Sequence, residues 1–362
     1  MAAQVTRPWI RLDPLRPLDL EVDGALYVDP PHGIAKRLTR FLEHPGEHVV
    51  LWGAVGSGKS TELRVAARLL STATLAALMA LDLELDLSSE PQAWEIQASL
   101  CRALVRAAER QEVPISQPLG DRLAKAGLIE RPRTQVSTQA SRELTGDLMS
   151  ELCSHRPVTL LVDGLEKATP ARAMSITRSL VETARGTSLA VVLSPALLTG
   201  PDAYEVLQNL NLRSMALRPA VVDPRHGAQA EEGQAWLREM ARRRLGPHAL
   251  PESILGEAAR SSGGVPRTFL QLLRDAYTSA EFADRDTPEG SDLLQARREH
   301  RASLRRLLAP GDLDCLKSAL GTSGVEIPVE ARVRLLAQGL LLEYEVAGAS
   351  DPIVEPHPLL DL

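Results

Sequence analysis

Nine consecutive residues carry the clearest chemistry in this chain: Gly53, Ala54, Val55, Gly56, Ser57, Gly58, Lys59, Ser60 and Thr61. They satisfy G-x-x-x-x-G-K-[ST] without a gap, the Walker A spelling of a phosphate-binding loop. Glycine at 53, 56 and 58 lets the backbone take conformations that a Cβ forbids. Successive N–H groups can then turn toward one anion. Lys59 supplies a cation with the reach for the β- and γ-phosphates of a nucleoside triphosphate, and the Ser60 hydroxyl suits Mg²⁺. A helix starting here would add its positive end.

A second group of residues is acidic. Val158-Thr159-Leu160-Leu161-Val162-Asp163 reads as a buried strand that ends in a carboxylate. An Asp at that end can hold magnesium, opposite Ser60. The next residue is Gly164, and the next carboxylate is Glu166. Glu166 has two readings: a group that orients an attacking water, or a solvated loop glutamate beside Lys167. Ser194 closes a further strand candidate over 189–194, either as a polar sensor of phosphate or as a plain strand end before Pro195. Ser261-Ser262-Gly263-Gly264-Val265-Pro266-Arg267 lies between two helical stretches. Arg267 can reach phosphate from there, or the segment is a simple helix–helix turn with glycine closing one helix and proline opening the next.

These residues need elements to hold them. His48-Val49-Val50-Leu51-Trp52 reads as a short buried strand running into the loop, and 62–70 as a helix with an apolar face. Ile34–Leu42 reads as a helix. Residues 75–87 read as a second strand, 90–112 as a helix, 119–128 as a short helix, and a longer helix runs to about 154. A helix over 171–185 and a strand over 214–217 complete the series. Strands alternating with helices imply a parallel sheet covered on both faces. After Pro219 helices dominate to about Phe282. Short helices and two strand candidates, 340–346 and 353–355, follow. Residues 1–32, rich in proline and aspartate, read as an extended lead-in outside any core.

Composition narrows the class. At 362 residues, with 44% hydrophobic side chains, the chain is long enough for two or three domains. A net charge of −6 argues against a general polyanion binder. Cys101, Cys153 and Cys315 have neither metal-site nor disulfide spacing, which fits a reducing cytoplasm. No apolar run is long and uncharged enough for a bilayer: Asp82, Glu84 and Asp86 interrupt 75–87. No signal peptide is legible, and a cytoplasmic location is expected.

In this order, the pieces resemble the AAA+/STAND branch of P-loop ATPases, and within it the origin-recognition-type initiators. The likeness spans most of residues 25–362. It implies a P-loop α/β domain over 1–222, a helical lid over 223–285 and a winged-helix-like domain over 286–362. The stretch from Val333 to Tyr344 looks like a third helix entering its wing, with 357–360 closing it. Walker A and Asp163 correspond to the family's nucleotide and magnesium positions, and Gly-Gly-Val-Pro-Arg resembles its second sensor. A typical AAA+ ATPase has Glu directly after the Walker B Asp, where this chain has Gly164. The resemblance implies ATP and Mg²⁺ as ligands and a nucleotide-driven switch, often self-assembling. In bacteria such switches often serve signalling or defence.

Two partner classes follow. A regulatory ATPase would contact proteins or further copies of itself. An initiator-like ATPase would bind DNA, and Arg297, Arg298, Arg301, Arg305 and Arg306 at helical spacing favour that. Yet residues 291–362 hold eight Lys/Arg against eleven Asp/Glu, with few aromatics for base stacking. Protein–protein switching is therefore the favoured expectation and DNA the alternative. A small-molecule kinase would need an acceptor pocket that no motif specifies. Arg172, Arg178, Arg185 and Arg213 are the candidates for an arginine finger.

Overall fold

The computed structural model describes residues 8–89, 91–129, 137–199, 203–248, 250–320 and 327–362. The chain packs as two compact units. One holds residues 34–52 and 62–216, the other residues 1–33, 53–61 and 217–362.

The first unit is built on five parallel strands. They are β1 (His48–Trp52), β2 (Leu75–Ala80), β3 (Val158–Asp163), β4 (Ser188–Val192) and β5 (Arg213–Ala216), in the order β2-β3-β4-β1-β5. Every residue of β3 and β4 is buried. That is why these strands read as apolar runs rather than as alternating patterns. One face packs Leu75, Ala77, Met79, Leu160, Val162, Leu189 and Val191 into a core shared with the helices Ala93–Arg110, Thr138–His155 and Pro170–Thr183. Val49, Leu51, Ala76, Leu161, Ala190 and Val192 point the other way and are also buried. The helix Ile34–Leu42 lies against β1 and β4, and its Ala35 N–H donates to the buried Glu62 carboxylate at 3.1 Å.

β2 is shorter than the sequence suggests. It stops at Ala80, and Leu81–Glu84 forms a short helix. The acids explain this, because a doubly buried strand cannot continue through Asp82 and Glu84. Glu84 instead pairs with Arg102 at 2.9 Å and Arg106 at 2.6 Å. The expected helix over 90–112 is Ala93–Arg110, and the short one is Gln117–Lys125; Glu90 lies outside the described residues.

The second unit has a helical core from Gly227–Leu245, Glu252–Ser261, Pro266–Phe282 and Gly290–Arg305. The lead-in is not outside it. Leu12, in the 3₁₀ turn Pro8–Leu12, is fully buried among Trp236, Leu237, Phe269 and Leu273. Trp236 Nε1 donates to Val28 O at 3.0 Å, so this helix fixes the lead-in backbone as well. Two helices, Asp312–Ala319 and Val329–Ala337, then precede the antiparallel hairpin β6 (Leu341–Tyr344) and β7 (Ile353–Pro356). Leu316, Leu335, Leu336, Leu340, Leu341 and Leu360 form their small core.

Among the described residues no helix is long and apolar enough to cross a membrane. The three cysteines are free thiols.

Candidate nucleotide site

In the unit that contains the loop, residues 53–61 form a tight phosphate-type turn. Gly53, Gly56 and Gly58 have φ of +158°, +83° and +103°. A Cβ on Gly53 would stand 2.1 Å from Leu217 O, and one on Gly56 would stand 2.5 Å from Arg267 Cβ. The helix Lys59–Leu70 begins inside the motif. Lys59 is 6% exposed, and its ammonium donates to Gly53 O at 3.1 Å and Ala54 O at 3.0 Å. The Ser57 N–H turns back onto Ala54 O at 3.2 Å. Val55 is exposed at the tip of the loop, while Ser60 and Thr61 are half-buried.

Arg267 joins this loop directly. Its N–H donates to Gly56 O at 3.2 Å from the first turn of Pro266–Phe282. The turn before it is rigid. Gly264 has φ +76° and accepts from Ala220 N at 3.2 Å, while a Cβ there would sit 1.8 Å from Ala220 O. On the other side, the buried Tyr344 hydroxyl donates to Gly263 O at 2.9 Å. Burial raises the Tyr344 pKa far above the ordinary phenol range, so this donor stays protonated.

Two buried polar atoms here, Ser57 Oγ and Arg267 Nε, have no hydrogen-bond partner among the described residues. A guanidinium is always charged, and burying part of it unpaired is costly. A polyoxo anion in the loop would supply acceptors for both, so the residues fit a nucleotide's phosphates.

The other predicted residues belong to the sheet unit. β1, β3 and β4 run parallel, with Val162 opposite Val191 and Val191 opposite Val50. Asp163 therefore lies at the same end of the sheet as the last residues of β1. Asp163 is 8% exposed and its Oδ1 accepts from Gly164 N at 3.0 Å. Ser194 lies two residues past β4, and its hydroxyl accepts from Ala196 N at 3.3 Å. It caps a turn there rather than ending a strand. Glu166 is half-buried in the 3₁₀ turn Leu165–Lys167.

No protein-family model matches the chain, and no curated protein matches it in sequence. Among solved structures, the Aeropyrum pernix ORC1 protein in complex with DNA is similar over 97% of this chain and 93% of its own. The identity is 15% and the TM-score 0.52. The chain therefore has a fold similar to that of this ORC1 protein. Weaker likenesses include the Aeropyrum pernix ORC2 protein in its ADPNP-ADP complexes, at TM-score 0.49 and 13% identity over 93% of both chains. The Thermotoga maritima RuvB Holliday junction branch migration motor follows at 0.40 and 15%, over 88% of this chain and 93% of its own.

The departure at Gly164 from the pattern expected after Asp163 has a steric cause. Gly164 has φ +94°, and a Cβ there would stand 2.5 Å from Asp82 Oδ1. A glutamate directly after Asp163 would need both a strained backbone and a displaced Asp82. Asp82 comes from the short helix after β2, two residues past Ala80, which is the residue opposite Asp163 in register, and it pairs with Lys167. The hydrogen bond from Lys167 to Asp82 is the main reason its ammonium pKa lies above the ordinary range, with Glu166 and Asp163 adding to it through charge. Asp82's place is not legible in the sequence, since its neighbours become visible only once β2 and β3 are paired.

The finger candidates are largely engaged. Arg172 donates to Leu87 O at 3.1 Å, Arg178 pairs with Glu205 at 3.0 Å, and Arg213 stacks 4.2 Å over the Phe41 ring.

Proposed function

We propose that this protein is an ATP-binding and ATP-hydrolysing switch of the AAA+/STAND type. The observation that carries the reading is the pair of buried, unpartnered polar atoms, Ser57 Oγ and Arg267 Nε, where Arg267 meets the loop at Gly56. Residues 53–61 cradle the phosphates, with Lys59 and Arg267 as their cations. Ser60 and Asp163 are the ligands for Mg²⁺, which neutralises phosphate charge when bound. Ser194 senses the outer phosphate. Glu166 accepts a hydrogen bond from the attacking water and holds it in line with the γ-phosphorus. The C-terminal helices and the β6–β7 hairpin act as a winged helix that, with the lid, meets a protein partner or a second copy. A bacterial signalling or defence role and a cytoplasmic site fit this reading.

Binding and turnover test it. ATP at ~100 times its dissociation constant should stabilise the wild type by about 2.7 kcal/mol. Lys59→Ala should lose that stabilisation; unchanged affinity would remove the loop assignment. Glu166→Gln should bind ATP normally and hydrolyse it ~10²–10⁴-fold more slowly.

A second reading is an initiator-like DNA binder. The ORC1 structure of similar fold holds DNA, and Arg298 and Arg306 are exposed here. Against it, Arg297 is spent on Glu257, Arg301 on Leu359 O and Asp361, and Arg305 on Leu360 O. Arg301 and Arg305 staple residues 359–361 to the helix Gly290–Arg305. Protein partners therefore remain the better reading.

A further inference from the structure

Three carboxylates and one ammonium meet where β2 and β3 end. Asp163 closes β3, Glu166 sits in the turn behind it, and Asp82 stands in the short helix after β2. Lys167 is the cation among them, and it bonds Asp82. Glu166 and Asp163 lie close enough for their charges to act on Lys167 as well. Three acids therefore compete for one ammonium, and the structure shows Asp82 holding it.

The two partners are unequally free. The Asp82 side chain is 17% exposed and packs against the Gly164 backbone, while the Lys167 side chain is 60% exposed on a long flexible stem. Asp82 is the more confined partner and Lys167 the one with the longer reach. Leu165, fully buried, anchors the turn beside Glu166 without help from Lys167. Without Asp82, the ammonium would turn to the remaining carboxylates. On Glu166 it would neutralise the charge that orients water. On Asp163 it would compete with a divalent cation.

We propose that Asp82 is a positioning residue that holds the Lys167 ammonium off Glu166 and Asp163. The inference rests on the reading of those two acids given above. It also assigns a use to Gly164, whose missing side chain leaves Asp82 the room to lie across the turn.

The test is a rescue. Asp82→Asn, Lys167→Gln, the double variant Asp82→Asn/Lys167→Gln and Glu166→Gln would be compared in the full chain, with thermal unfolding confirming that each folds. Asp82→Asn should lower turnover of Mg-ATP, or its affinity, by about 10–100-fold, the range for groups that orient a ligand or catalytic residue. Lys167→Gln should stay near wild type, and the double variant should recover toward it, because the misdirected cation is gone. A double variant as impaired as Asp82→Asn would overturn the proposal, since Asp82 would then act itself or merely hold the fold. Asp82→Asn at wild-type turnover and affinity would overturn it too. Wild-type turnover in Glu166→Gln would remove the role given to Glu166 alone. The proposal would then stand or fall on Mg-ATP affinity, lost in Asp82→Asn and regained in the double variant through Asp163.

Discussion

Gly264 and Gly164 both sit in left-handed turns beside proposed nucleotide residues, but they face different things. A Cβ on Gly264 would meet the backbone oxygen of Ala220 at 1.8 Å, whereas one on Gly164 would meet the side chain of Asp82 at 2.5 Å. A backbone oxygen in a packed linker cannot move aside, but a carboxylate can rotate. The same contrast holds more widely. The turn at 262–267 is closed by neutral, buried groups such as the Tyr344 hydroxyl and Ala220 N–H. The turn at 164–167 is closed by the ion pair between Lys167 and Asp82. One junction is closely packed by neutral groups; the other is polar and adjustable.

The largest expected effect follows from this difference. Gly264→Ala should cost ~4 kcal/mol or more, because strain at positive φ adds to a collision with backbone. Gly164→Ala should cost only ~1–2 kcal/mol, the usual penalty for a left-handed non-glycine residue once Asp82 swings away. Denaturant midpoints of the two variants would check the ranking, and equal losses would break the comparison.

A smaller effect concerns pH. His357 is 4% exposed, and burial pushes its pKa down to about 4, with His300 nearby adding in the same direction. Its Nδ1 accepts from Leu359 N at 3.2 Å, so a proton there would set two N–H groups against each other. The unfolded chain takes up this proton near its ordinary value of 6.5, before the folded chain does. Stability from this group is therefore complete above about pH 6.5 and falls as the pH drops toward 4, by about 3 kcal/mol in all. Unfolding curves across that window should steepen in acid for wild type and flatten for His357→Gln.

Much of the closely packed junction was legible in sequence. The spacing of Gly53, Gly56, Gly58 and Lys59 needs only local chemistry, and Gly263-Gly264-Val265-Pro266-Arg267 spells a helix end and a helix start. The run from Val158 to Asp163 announces a buried strand by composition alone. The adjustable junction was not legible. Asp82 looked like an interruption of an apolar stretch until the pairing of Ala80 with Asp163 brought it beside Gly164. Leu12 is hidden for a similar reason: a proline-rich lead-in has no periodicity to betray the side chains it buries, Leu12 and Leu18 among them. The arginines from 297 to 306 share a helical face in sequence, but what they bind is set by the chain's last residues, which return to that helix.

The smallest expected effect concerns those arginines. Arg301 and Arg305 hold Leu359 O and Leu360 O, whereas Arg298 and Arg306 are exposed and have no ion pair among the described residues. Replacing Arg298 and Arg306 together by Gln should change stability by no more than about 0.5 kcal/mol, the usual range for surface positions. Its effect on DNA sharpens the choice of partner. With protein as the partner, duplex DNA binds the wild type only non-specifically, at ~10⁻⁴–10⁻⁶ M near physiological salt. The double substitution then leaves the salt dependence almost unchanged. If the two side chains instead track phosphates, each removed contact should lower the slope of log affinity against log salt by about 0.9. A loss near twice that value, from a complex in the nanomolar range, would move the function to DNA binding. An unchanged slope would leave the arginine helix as what its contacts describe, a clamp on the chain's own C-terminal residues.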